Sequence, residues 1–117
     1  NGIYGTIIFD EINSTETELH QRNVTVYADG RVDRSPCGSG TAARIAQLAY
    51  SGQLTKSMTL IHDSIIGTRF LGRIEETQTN GQRSGVIPVI TGNAFHVANS
   101  EFLLLENDEL DTGFSLR

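Results

Sequence analysis

The sequence predicts an α+β fold in which a curved, mostly antiparallel or mixed sheet wraps around one central buried helix. Two observations carry this expectation. Residues 41–50 are the one strongly helical segment, and they are apolar or small around most of their circumference. A helix with only a narrow wet face belongs in an interior. Short segments rich in β-branched and aromatic residues, separated by turn residues, lie on both sides of that helix. One helix among many short strands is buried most economically by a sheet that curls around it.

Taken in order, Ile3 to Phe9 reads as the first strand, and residues 10–20 read as a polar connection. Arg22 to Tyr27 is the second strand, with partial alternation, and Ala28-Asp29-Gly30 supplies a turn. The glycine-bearing stretch at 38–40 leads into the helix, which Gly52 is placed to stop. Beyond it, strands are expected at 58–61, at 65–74 with interruptions at Gly67 and Gly72, at 86–90 and at 94–105. Asn80-Gly81 is a hairpin turn joining the second and third of these. No fixed-period repeat and no low-complexity tract is present.

A chain of 117 residues with 38% hydrophobic content suits a single small domain with a modest core, one face of which needs a partner to cover it. No run of about 20 apolar residues marks a membrane span. The net charge is −5, and Lys and Arg form no cluster. Nucleic acid and anionic membrane are therefore poor partners on electrostatic grounds. One cysteine cannot make a disulfide within the chain and suits a reducing compartment, which points to the cytoplasm. The start at Asn1, without Met or leader, leads us to expect a piece of a longer protein.

The cysteine, Cys37, stands in Asp33-Arg34-Ser35-Pro36-Cys37-Gly38-Ser39-Gly40-Thr41. Pro36 holds Ser35 extended, so the chain arrives straight and then turns. Gly38 and Gly40 tolerate close approach, and with Ser39 they leave peptide N–H groups open at the helix start. Those groups and the helix dipole suit a carboxylate and favour a thiolate at Cys37. Ser39 or Thr41 is a candidate cap. Asp33 is placed to receive an ammonium group. The set matches an amino acid: donors for its carboxylate, an acceptor for its amine and a thiol for its Cα proton.

Spacing alone leaves a plainer account level with this one. A lone cysteine near a helix start is often a small buried hydrophobe. Asp33 equally reads as a turn residue paired with Arg34, the glycines as turn formers, and Tyr27 as either a core aromatic or a pocket wall. Arg44 reads as structural. His62 and Asp63 look like a dyad, but neighbours in a strand point to opposite faces, so a solvated loop is the expected setting. His20, His62 and His96 have no ligand spacing with Cys37, so no metal is expected. The glycine run is not a phosphate-binding loop.

The run from Asp33 to Arg44 resembles the second active-site motif of the proline racemase family, which comprises proline racemases, 4-hydroxyproline 2-epimerases and trans-3-hydroxy-L-proline dehydratases. Ser64-Ile65-Ile66-Gly67-Thr68-Arg69-Phe70-Leu71-Gly72, Val89-Ile90-Thr91-Gly92-Asn93-Ala94 and Gly113-Phe114 fit it in order and spacing. The resemblance implies a lobe like those of diaminopimelate epimerase. There, two lobes each present one cysteine at the N-terminus of a central helix, and substrate sits between them. It implies that Cys37 is the second catalytic cysteine and that Asp33 contacts the substrate amine. Gly38 and Ser39 would bind the carboxylate through their backbone, and Tyr27 would line the ring pocket. No cofactor is implied.

Two departures qualify what the resemblance implies. The family's other cysteine lies in a Cys-Gly-His motif that this sequence lacks, so the chain is expected to be one C-terminal lobe, inactive alone. In the family's dehydratases a threonine usually stands at the position of Cys37, so the cysteine favours a racemase or epimerase acting on proline or hydroxyproline. Dehydration of trans-3-hydroxy-L-proline is the alternative, and a non-catalytic binding or structural domain is a third reading. Residues from about 94 to 117 are expected to pack on the absent N-terminal lobe. Left uncovered, their apolar face would promote a homodimer.

Overall fold

The computed structural model of the chain describes residues 2–80, 83–109 and 113. Five strands form one mixed sheet in sequence order, with the single helix between the second and third. Strand β1 (Gly5–Ser14) pairs antiparallel with β2 (Glu18–Tyr27). The turn between them is closed by Thr15, whose Oγ1 accepts from the N–H of Glu18 at 3.0 Å and of Thr17 at 3.3 Å. The polar connection expected over 10–20 is therefore mostly strand. β1 is exposed on both faces beyond Gly5, so it carries no burial pattern, and its backbone ladder with β2 holds it instead.

Helix α1 (Gly38–Tyr50) crosses over from β2 to the parallel β3 (Thr59–Ser64), as a parallel pair requires. It starts three residues earlier than its composition suggests, because the Thr41 N–H already bonds the Cys37 carbonyl at 2.8 Å. It stops where expected. Gly52 takes φ 73°, and the N–H groups of Gln53 and Leu54 return to the Leu48 carbonyl at 2.9 and 3.1 Å.

β3 turns through residues 65–68 into β4 (Arg69–Asn80), which pairs antiparallel with β5 (Arg83–Thr91). The strand expected from 65 thus begins at 69 and runs on to 80. Asn80 faces Arg83 across the ladder, while Gly81 of the expected hairpin turn lies outside the described residues, as does Phe114. Residues 94–105 form no strand: they pair with no described strand, and their backbone has no ladder to join.

The core gathers Leu19, Ile45, Leu48, Leu54, Leu60 and Ile74, with Met58, Val86 and Ile90 packed against it. The sheet curls so that α1 meets every strand. Gly40 lies against Ile7 of β1, Arg44 against Gln21 of β2, Thr41 against His62 of β3 and Ile45 against Gly72 of β4, while β5 also runs alongside. Gly72 is needed there, since a Cβ would sit 2.6 Å from Ile45 Cδ1. Among the described residues α1 buries one face, with Thr41, Ile45 and Leu48, and leaves Ala43, Ala46, Gln47 and Tyr50 exposed. No helix is long and apolar enough to cross a membrane.

Candidate active site

The inward face of β2 sets the floor of the site. Leu19, Gln21, Asn23 and Thr25 alternate inward and are buried, so most of the layer under the helix start is polar. At the end of β2 the chain reverses through residues 28–30 and comes back beside itself. The Tyr27 N–H bonds the Arg31 carbonyl at 2.8 Å, and the Asp33 N–H bonds the Thr25 carbonyl at 2.9 Å. This hairpin carries Asp33 to Tyr27, whose hydroxyl donates to Asp33 Oδ2 at 3.1 Å.

A short relay then leads to the cysteine. Asp33 Oδ1 accepts the Ser35 N–H at 2.8 Å, and Ser35 Oγ accepts the Cys37 N–H at 3.1 Å. Cys37 is the N-cap of α1 at φ 63° and ψ 115°, the only non-glycine residue at positive φ among those described. A side-chain-bearing residue held there is strained, and such strain persists only where the surroundings over-determine it. No side chain caps the helix, contrary to the expectation for Ser39 or Thr41. The Ser39 hydroxyl instead lies 3.7 Å from Cys37 Sγ, and Thr41 is turned into the interior. The N–H groups of Gly38, Ser39 and Gly40 precede the first intrahelical bond and face out of the helix end.

Cys37, Ser39, Gly40, Thr25 and Tyr27 line one open cavity of about 340 Å³, with Tyr4 and Ile7 on its other side. Asp33 lies outside it, in an adjoining open depression that shares Tyr4 and Tyr27. Gly38 is exposed at the first helical position and lines neither. Gly40 is where the helix touches β1: a Cβ there would stand 2.1 Å from Ile7 Cδ1 and 3.2 Å from Cys37 Sγ.

Electrostatics follow these contacts. Burial pushes the Asp33 carboxyl up, but the Ser35 N–H and hydroxyl, the Tyr27 hydroxyl and the Arg34 charge outweigh it and hold it below the ordinary value. The same hydrogen bond and the charge of Asp33 push the Tyr27 hydroxyl up. Arg44, expected to be structural, donates to Gln21 at 2.9 Å and Gln47 at 2.7 Å and lies 3.6 Å over the Phe9 ring.

His62 and Asp63 do point to opposite faces of β3, but both are buried rather than in a solvated loop. Asp63 accepts two bonds from Arg69, at 2.7 and 2.9 Å, and one from His20 at 2.8 Å. The Arg69 bonds and then the His20 bond outweigh burial and hold its carboxyl down at about 2. His62 points under the helix, where burial and then the Arg44 charge lower it to about 4, so it is neutral at pH 7. Asn23, Thr41 and His62 form a buried cluster that spacing did not reveal; the polar residues at inward positions 21, 23 and 25 were its one signal. No group of three or more His, Cys, Asp or Glu among the described residues is placed to hold a metal ion.

Comparison with known proteins gives one family. The proline racemase family profile matches residues 1–115. A trans-3-hydroxy-L-proline dehydratase of Bacillus cereus is 41% identical over 115 residues, which is 98% of this chain and 34% of that protein. A proline racemase of Clostridioides difficile is 39% identical over 110 residues, 94% of this chain and 32% of that protein. Among solved structures, a hydroxyproline epimerase from Agrobacterium vitis with bound trans-4-hydroxy-L-proline superposes with a TM-score of 0.77 at 35% identity. That alignment covers 98% of this chain and 32% of the epimerase. The chain spans about a third of the length of these relatives.

Proposed function

The chain belongs to the proline racemase family, and from that membership we propose that it is the C-terminal lobe of a cofactor-independent racemase or epimerase that inverts Cα of proline or hydroxyproline. The observation that supports this most is the placement of Cys37. Its thiol lines a cavity beside N–H groups left open at the helix start, on a backbone angle that packing alone has no reason to demand.

In this mechanism the substrate carboxylate lies against the N–H groups of Gly38 and Ser39, its ammonium turns to Asp33, and its ring rests on Tyr27. Cys37 as thiolate takes the Cα proton: an S–H bond forms, the Cα–H bond breaks, and the electron pair spreads into the carboxylate. The N–H dipoles stabilise the charge that develops there. A thiol of the other lobe then protonates Cα from the opposite face. In the reverse direction the roles exchange, so Cys37 is the acid. A thiol titrates near working pH, where acid–base transfer is most efficient.

The partner thiol is absent from these 117 residues, so the lobe alone is inactive. Residues 94–109 pack on the N-terminal lobe in the full-length protein; 110–112 and 114–117 of the expected range lie outside the described residues. The enzyme works in the cytoplasm, where its cysteines stay reduced.

Dehydration of trans-3-hydroxy-L-proline is the second reading, favoured by the similarity to the Bacillus cereus dehydratase. Product identity separates the two. The full-length protein incubated in D₂O should place deuterium at Cα without losing hydroxide. Formation of a cyclic imine from 3-hydroxyproline would establish dehydration instead, and neither product would leave a binding domain.

A further inference from the structure

We propose that Asn23, Thr41 and His62 form a positioning device for Cys37, a closed ring of hydrogen bonds that clamps the Pro36 carbonyl and so sets the peptide plane carrying the thiol. The inference rests on the role of Cys37 proposed above and adds residues that touch no substrate. None of the three lines the Cys37 cavity, so they act on the reaction only by holding the helix start and Cys37 in place.

The Pro36 carbonyl is buried and takes two donors, Asn23 Nδ2 at 2.7 Å and Thr41 Oγ1 at 3.2 Å. Turning that carbonyl turns the Pro36–Cys37 peptide, and with it φ of Cys37. Both donors also meet His62, which is 1% exposed: its Nδ1 lies 2.9 Å from Thr41 Oγ1, and Asn23 Nδ2 lies 3.0 Å from its Nε2 and 3.5 Å from its Nδ1.

Proton accounting gives this ring one solution. Asn23 Nδ2 can only donate, one hydrogen to Pro36 and one to the nearer ring nitrogen, so the imidazole hydrogen belongs on Nδ1, Thr41 Oγ1 accepts it, and the Thr41 hydroxyl hydrogen goes to Pro36. His62 Nε2 is then an acceptor, and it takes one Asn23 amide hydrogen while Pro36 takes the other. Every donor of the ring is used. A second proton on His62 would set Nε2–H against the Asn23 N–H, so the ring requires a neutral imidazole, in keeping with its depressed pKa. Asn23 Oδ1 is left buried without a partner in this orientation, and turning the amide over would set that oxygen against the Pro36 carbonyl, so the clamp fixes the amide.

The full-length protein tests this through Thr41→Val, which keeps the shape and removes the hydroxyl, beside Thr41→Ser, which keeps the hydroxyl. Thr41→Val should lower kcat about 10- to 100-fold with little change in KM, and should slow alkylation of Cys37, followed by peptide mapping. Thr41→Ser should restore both to within about threefold of the native values. A Thr41→Val enzyme with native kcat and native Cys37 alkylation would overturn the proposal. Nitrogen NMR of the unsubstituted protein supplies a measurement that needs no variant: His62 should carry its hydrogen on Nδ1, and an Nε2–H imidazole would refute the ring. Cys37→Ser is the separate control. If it stays active, the catalytic role of Cys37 fails; if it is inactive while Thr41→Val is unaffected, only the positioning role fails.

Discussion

Cys37 occupies φ 63°, a region that costs a residue with a Cβ about 1–3 kcal/mol. Glycine pays little there. Replacing Cys37 by Gly should therefore raise stability relative to Cys37→Ser by roughly 1 kcal/mol, while both substitutions lower turnover of the full-length protein by about 10³-fold or more. Urea unfolding of the two variants beside steady-state rates checks this. Equal stabilities would mean that the angle carries no strain. Gly40 answers to the opposite constraint. Its Cβ would meet Ile7 Cδ1 at 2.1 Å and Cys37 Sγ at 3.2 Å; the exposed end of Ile7 can swing aside, but the thiol of Gly40→Ala must give by a few tenths of an ångström. A loss of stability below about 1 kcal/mol is expected, with reduced activity of the full-length protein as the larger effect. At this scale the sequence was informative about Cys37 and Asp33, because their neighbours in the chain are their neighbours in space. Asn23 and His62 were not legible, since they meet across 39 residues.

Strand β3 shows how one element serves two faces. His62 points inward to a neutral ring and Asp63 outward to an ion pair, and both depend on pH. His62 has an ordinary pKa of 6.5 and about 4 when folded. Between those values the unfolded chain binds a proton that the native chain excludes, so stability is full above pH 6.5 and falls as pH drops towards 4, by on the order of 3 kcal/mol. Asp63 falls from 3.8 to about 2, so its contribution is present above pH 3.8 and is lost as pH falls through 2. The urea midpoint should thus decline in two successive acid windows. His62→Asn should flatten the first and spare the second; an unchanged first slope would remove His62 as its cause.

Helix α1 and its Gly52 stop were readable from composition, because helix propensity and capping act within a few residues. Its packing is another matter. Ile45 fits beside Gly72 only because β4 brings a residue without a side chain to it, and Ile45→Ala should cost about 2–5 kcal/mol. The length of β1 was likewise settled by its partner. Asp10, Glu11 and Asn13 carry no strand signal of their own, yet β2 extends their ladder to Ser14.

For the whole molecule, the decisive fact is apolar surface without a cover. Phe95 and Phe102 are 86% and 88% exposed, and Leu103, Leu104 and Leu105 are exposed as well. So many exposed large apolar side chains in one segment call for a cover. The isolated chain is expected to self-associate and to bind an apolar dye, whereas in the full-length protein the amides of 94–105 should be protected from hydrogen exchange. Rapid exchange there in the full-length protein would contradict packing on the other lobe.

The sequence by itself determined the helix, its stop, the turn-rich approach to Cys37 and the family to which that motif points. All of these rest on residues within a few positions of one another. Only the tertiary structure decided that Asp33 bonds Tyr27, that β1 runs on to Ser14, and that Asn23, Thr41 and His62 close a ring under the thiol. The physical reason is that a polar residue in a strand carries no mark of its partner. Whether it is solvated, strand-paired or sealed into a network depends on which distant side chain the fold brings against it.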